Sequence, residues 1–347
     1  MDNHLLKTQV NRLCGIDCIR ALAIVNVIAA HFFTFNTPFH QTDFDCSLSM
    51  FLQGMGKSIS GVSLFMMMTG FLNSKKVKFD KQYIRGLVKV LLTYVFFCVV
   101  TFLFKLYVLQ MTLSPVSLVK GILDFTMIPY AWYIEMWIGL YLITPFLNLG
   151  YNAIPEKRMK QTLLVVLYLL TAVPNFTNRY NQHLMPGFWM DIYPVMFFMV
   201  GRYIKEYEPI VKWWKLVLVI LSFYMINPLF SSLFIKGRPM MMVAGDPWGV
   251  FGTIVAVCIF LLLYKIDIRQ KVLKWCVTKV ALLSLDIFLC CYMVDRLVYP
   301  FFMNRFFESQ QQFGKWFFVV VFVIVFLSAI IAQLKVWLFK ATRLDRI

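Results

Sequence analysis

One apolar run carries the residues most able to do chemistry. In "IDCIRALAIVNVIAAHFF", Ile16 to Phe33, the polar groups Asp17, Arg20, Asn26 and His31 interrupt a stretch otherwise suited to lipid. An α-helix turns about 100° and rises about 1.5 Å per residue. The eleven steps from Arg20 to His31 therefore make three turns plus roughly 20°, about 16 Å along the axis. Arg20 and His31 share a face. Asp17, three residues before Arg20, can pair with it as an i,i+3 neighbour. Asn26 points elsewhere and is expected to hydrogen-bond a neighbouring helix. A guanidinium can grip phosphate with a two-pronged fork, and an imidazole can take a proton from a hydroxyl near neutral pH. The bland alternative is that Arg20 and His31 snorkel to opposite headgroup layers. Ionisable residues within spans more often face a cavity and mark a reaction or transport path.

The elements that position these groups follow from composition. Apolar residues make up 60% of the 347, charged residues only 15%, and Phe alone contributes 35. A soluble chain of this length needs more charge to cover its surface. Several runs reach the roughly 18 to 20 apolar residues that cross about 30 Å of hydrocarbon. The expected fold is all-α: a polytopic membrane helix bundle of about ten transmembrane helices. The expected spans are 15–36, 50–72, 83–109, 130–150, 162–176, 189–204, 214–234, 247–265, 280–302 and 315–338. Two of them, 162–176 and 189–204, are short. Either they line a protein-enclosed cavity, where broken helices are tolerated, or their boundaries lie elsewhere. The chain reads as one domain over 1–347, with no appended extracytoplasmic domain. The first run is not a cleavable signal peptide, because charge breaks its apolar core and no small-residue cleavage site follows.

The net charge of +17 is spread in short clusters between apolar runs, such as "KKVKFDK", "PEKRMKQ" and "KATRLDRI". That pattern orients membrane helices and excludes a phosphate-tracking stripe, so no nucleic-acid partner is expected. With the N-terminus in the cytoplasm, the inner flanks collect most of the lysines and arginines, from Lys7 and Arg12 through Lys335 to Arg346. The outer loops hold only Lys57, Lys120, Arg179, Lys236, Arg238, Arg305 and Lys315. Both termini are therefore expected in the cytoplasm and Cys46 in the first outer loop. The eight cysteines are scattered with no CxxC, and Cys290 and Cys291 sit inside an apolar run. They read as packing residues, and no metal site is expected.

The polar run resembles the first-helix signature of the membrane acyltransferase family 3, the O-acetyltransferases of bacterial surface polysaccharides. Asp17, Arg20 and His31 match its Asp, its Arg three residues on and its His eleven further. "GVSLFMMMTGFLNSKK" resembles the family's second helix, with Thr69-Gly70-Phe71-Leu72 before a basic loop. "AWYIEMWIGLYLITPFLN" resembles its Trp-aromatic-apolar helix, with Trp132, Tyr141 and Pro145 in place. Weaker likenesses are "YPVMFFMVGRYIKEY" and "SLDIFLCCYMVDRLVY". There are departures too. Where many members carry two arginines entering the third helix, this chain has Arg85 and Lys89, and lysine supplies charge without the fork. Where many carry a histidine near the ninth helix, Cys290 and Cys291 stand.

The resemblance implies acetyl-CoA or another acyl-CoA as co-substrate on the cytoplasmic side. It implies an acceptor hydroxyl on a polysaccharide or lipid-linked glycan at the outer side of a bacterial cell membrane. On that reading Arg20, Arg85 and Lys89 hold the CoA phosphates and His31 is the general base. Glu135, at a similar depth on the fourth helix, is the candidate to orient His31, unless it bonds another helix instead. Asp286 and Asp295 are further candidates, or structural groups, Asp295 through a neighbouring helix or Arg296. Trp132 belongs to a belt of aromatics at the outer helix ends, which anchors to the interface or stacks on a sugar. The competing reading is a transporter or flippase for such a glycan, although ten spans without an internal repeat fit that poorly.

Overall fold

In lipid a chain this apolar has few ways to satisfy its backbone, and helices are the simplest. A computed structural model describes residues 13–42, 47–57, 61–180, 184–234 and 248–344, and among these there is no strand. The helices are α1 Cys14–His31, α2 Leu48–Lys57, α3 Gly61–Leu72, α4 Lys81–Tyr107, α5 Pro115–Leu123 and α6 Trp132–Asn152. They continue as α7 Lys157–Tyr180, α8 Tyr193–Tyr207, α9 Trp213–Phe234, α10 Val250–Leu263, α11 Lys271–Phe306 and α12 Phe317–Ala341. Lys7, Arg12, Cys46, Lys236, Arg238 and Arg346 lie outside the described residues.

Among the described residues, five segments are long and apolar enough to cross a membrane: Cys14–Asn36, Lys81–Tyr107, Lys157–Asn178, Lys271–Phe306 and Gln310–Ala341. Gly61–Leu72, Trp213–Ile226 and Val250–Leu263 are apolar but shorter. A helix overlaps each of the ten expected segments. The segment expected at 162–176 belongs to the 24-residue α7, so its shortness came from misplaced ends. The one expected from 189 opens with a tight turn over Gly187–Ile192 and becomes α8 at Tyr193, next to Pro194.

α1 is the seam of the bundle, packed against α3, α10, α11 and α12. Its first half, with Ile16, Ile19 and Ala23, joins a buried cluster built with α3, α8 and α10. Its second half, with Ile24, Val27 and Ile28, joins another built with α4, α11, α12 and the loop before α6. The first cluster is drawn tight by reciprocal glycines. A Cβ on Gly70 of α3 would collide with the carbonyl of Phe198, and one on Gly201 of α8 with the carbonyl of Met67. Close backbone approach of this kind is how helices associate without help from the hydrophobic effect. α4 and α6 are joined by the stacked rings of Tyr83 and Tyr141, 4.2 Å between centroids. Each tyrosine's hydroxyl donates to the other's carbonyl.

The second cluster holds a buried ion pair. Lys335 on α12 reaches Asp286 on α11 at 2.7 Å, and also donates to Thr93 on α4 at 3.1 Å. Lys335, read above as one of the charges flanking the last helix, is instead spent inside the bundle. Asp286 is thereby accounted for as a structural partner of α12.

Candidate active site

His31 ends α1, and the chain leaves it through a widened, π-type turn over Phe32–Asn36. Such a turn frees a carbonyl from the regular ladder, and widened turns recur at functional sites. Here Asn36 meets that need, donating from Nδ2 to the His31 carbonyl at 3.1 Å. The same amide lies 3.3 Å from the Tyr130 hydroxyl and 3.2 Å from Asp295 Oδ2. Thr37 closes the turn by donating its hydroxyl to the Phe32 carbonyl at 2.8 Å.

The carboxylate beside the histidine is Asp295 of α11. Its Oδ2 stands 3.9 Å from His31 Nδ1 and accepts from the Tyr130 hydroxyl at 2.8 Å. The imidazole lies over the Tyr130 ring, 3.8 Å between centroids, with Phe35 edge-on at 5.6 Å. Cys291 Sγ lies 3.9 Å from the same Nδ1. His31 is 5% exposed and Asp295 1%, so the group is closed off from bulk water. Nδ1 faces Asp295 and Cys291, which leaves Nε2 as the nitrogen turned away from the carboxylate. An imidazole with a carboxylate close to one nitrogen has the charge partner that proton transfer through the other needs.

Glu135, the carboxylate expected beside His31, is exposed on α6. The reason is azimuth. Ile134, in the first turn of α6, is buried toward the core. Glu135 follows Ile134 by one residue, about 100° around the helix, and faces out. Its depth suits His31; its direction does not. On α11 the spacing of Ser284, Phe288, Cys291 and Asp295 runs four, three, four, and all four are buried. These residues belong to the buried stretch that turns Asp295 toward the core. Tyr130 and Asn36 were missed because each lies in a short connection rather than on a periodic face.

At the other end of the stripe, half-buried Arg20 lines a cavity of about 300 Å³. Val27, Phe65, Thr69, Tyr133 and Phe288 also line it, and the wall is mainly apolar. Val27 and Phe288 bring it within a turn of His31 and Cys291 respectively. Arg20 lines this cavity and His31 lies beyond its wall, about 16 Å further along α1. Asp17 accepts a hydrogen bond from Thr278 of α11 at 3.3 Å. Asn26 is buried, but its Nδ2 has no hydrogen-bond partner, contrary to the expected tie to a neighbouring helix.

Arg85 and Lys89 are exposed on α4, and neither lines the Arg20 cavity, although Val90 does. Trp132 is edge-on to Trp248, which stacks on Tyr193. That fixes Trp132 in an aromatic cluster between α6, α8 and the start of α10. Among the described residues no group of three or more His, Cys, Asp or Glu is arranged to hold a metal ion.

Residues 14–333 match the family described as "Acyltransferase domain", acyltransferase family 3. No curated protein and no solved structure matches the chain.

Proposed function

The chain belongs to acyltransferase family 3, and on that premise we propose that it is an O-acetyltransferase of the bacterial cell membrane. It takes the acyl group from cytoplasmic acetyl-CoA and places it on a hydroxyl of a surface polysaccharide or its lipid-linked precursor. The observation that carries this reading is the position of the His31–Asp295 pair. Its histidine lies one helical turn beyond Val27, which with Phe288 lines the cavity that also holds Arg20.

In this mechanism Arg20 meets the phosphates of CoA at the cytoplasmic mouth, with Arg85 and Lys89 adding positive charge on α4. A phosphate held by a guanidinium gains short, charge-assisted hydrogen bonds. The pantetheine arm lies along the apolar wall of Val27, Phe65 and Phe288 and brings the thioester up to His31. His31 Nε2 takes the proton of the sugar hydroxyl as its oxygen attacks the thioester carbonyl. The C–S bond breaks, the proton passes to the departing thiolate, and the products are the sugar ester and free CoA. Asp295 holds Nδ1–H and stabilises the imidazolium while it carries the proton. Tyr130 and Asn36 keep that carboxylate in place. One apolar cavity with few convergent polar groups is the usual form of a small-molecule site.

The test is direct. Purified protein, acetyl-CoA and candidate glycans should yield glycan ester and free CoA in equal amounts. CoA release without ester, or no consumption of acetyl-CoA with any glycan, would sink the proposal. Orientation has its own check. On intact cells an impermeant thiol reagent should label Cys46 and spare a cysteine put in place of Lys76; the reverse pattern would exchange donor and acceptor sides.

A further inference from the structure

A second cavity, of about 200 Å³, opens on the far side of the His31 pair. Phe35, Asn36, Asp295, Arg296 and Tyr299 line it, and it shares no lining residue with the Arg20 cavity. Two polar atoms of its wall are buried without a partner: Asp295 Oδ1 and the Tyr299 hydroxyl. Their residues are 1% and 4% exposed. Buried polar atoms are nearly always satisfied, and one left open in a cavity wall calls for a ligand. Oδ1 can only accept and a tyrosine hydroxyl can donate or accept, so the complement is a group rich in hydroxyls. Asp295 thus has two sides, Oδ2 toward His31 and Oδ1 left open.

The mouth of this cavity is positive. Arg296 is exposed there, its guanidinium 5.2 Å from the centre of the Tyr292 ring. The Lys105 ammonium lies 5.4 Å from the same centre. Lys105 also donates to the Met127 carbonyl at 2.8 Å. Among the described residues neither cation forms an ion pair with a carboxylate. Arg296 lines the cavity itself, and Lys105, outside its wall, adds positive charge nearby. Arginine also offers the planar fork that suits carboxylate and phosphate.

We propose that this second cavity is the acceptor subsite and that it takes an acidic sugar. The carboxylate or phosphate of that sugar sits on Arg296, and its hydroxyls meet Asp295 Oδ1 and Tyr299. The assignment rests on the acyl-CoA-to-glycan reading above. It adds the class of acceptor, and makes Arg296 the residue that selects it.

The experiment uses full-length protein in nanodiscs of neutral lipid, with acetyl-CoA as donor and two pairs of acceptors. One pair is a uronate-containing oligosaccharide and its carboxyl-reduced counterpart. The other is a phosphate-bearing oligosaccharide and its dephosphorylated counterpart. The wild type should prefer one acidic member over its neutral partner by roughly 10- to 100-fold in kcat/KM, as hydrogen bonds to charged groups provide. Whichever pair shows the preference identifies the anion. Arg296→Gln should bring that ratio near one through KM, and Arg296→Lys should restore part of it. Tyr299→Phe should weaken both members of the pair alike.

Equal use of acidic and neutral acceptors by the wild type would overturn the assignment while leaving the acyltransferase reading intact. So would a preference that survives Arg296→Gln. If Arg296→Gln acts only in nanodiscs containing anionic lipid, and equally on all acceptors, Arg296 is a headgroup anchor and the assignment falls. Absence of ester on every glycan would overturn both readings.

Discussion

The two ends of the α1 stripe are built differently. Arg20 stands half-buried at a cavity wall of mainly apolar side chains. His31 is enclosed, with Asp295, Tyr130, Asn36 and Cys291 all reaching it or its immediate partners. A group that grips a mobile, solvated phosphate needs access and little else. A group that must hold one tautomer during proton transfer needs fixed neighbours. The same helix supplies both, and its surroundings assign the tasks.

That contrast can be broken at either end, most severely at His31. His31→Ala should lower single-turnover transfer by about 100- to 10,000-fold, the usual worth of a general base. Acetyl-CoA should still bind, because the Arg20 contacts lie about 16 Å away. Loss of binding together with transfer would mean the two ends are one site.

Asp295→Asn comes next, with a loss of roughly 100-fold in kcat, since the imidazolium loses its counter-charge. Combined with His31→Ala it should add little, because residues acting as one unit are not additive. Independent, multiplying losses would move Asp295 out of the proton-transfer group.

At the other end Arg20→Ala should raise KM for acetyl-CoA by roughly 10-fold, the scale of one charge-assisted hydrogen bond, with a smaller change in kcat. Arg20→Lys should recover only part of this, as the fork is lost. Unchanged KM would make the arginine a membrane anchor. Glu135→Gln is the smallest expected effect, less than about 2-fold in kcat, as for an exposed side chain away from special features. A large loss there would return Glu135 to the site.

What the sequence disclosed depended on which periodicity a residue obeys. Arg20 and His31 lie on one helix, so their common face follows from spacing alone. The partner of His31 comes from α11, more than 250 residues away, where depth in the bilayer is readable but direction is not. Asp295 and Glu135 were both candidates by depth. Only packing decides which of them turns inward, and the buried seam of Ser284, Phe288 and Cys291 shows it for Asp295. Lys335 is a similar case. Near a helix end a lysine reads as a topological flank, and only the position of Asp286 across the α11–α12 contact shows that it is paired. The helical class itself was legible from composition, whereas α7 runs past both limits that the hydropathy suggested.

The Lys335–Asp286 pair has a consequence for biosynthesis. A lone lysine or aspartate at the centre of a membrane helix costs about 2.5–3.5 kcal/mol during insertion. Asp286 of α11 and Lys335 of α12 are charges of this kind, and they cancel only when the two helices lie side by side. They are therefore better inserted as a helical hairpin than one after the other. Thr93, which shares the lysine, lies on α4, a helix already made by then. The α11–α12 hairpin thus docks onto α4 through a charge that could not comfortably be left in lipid.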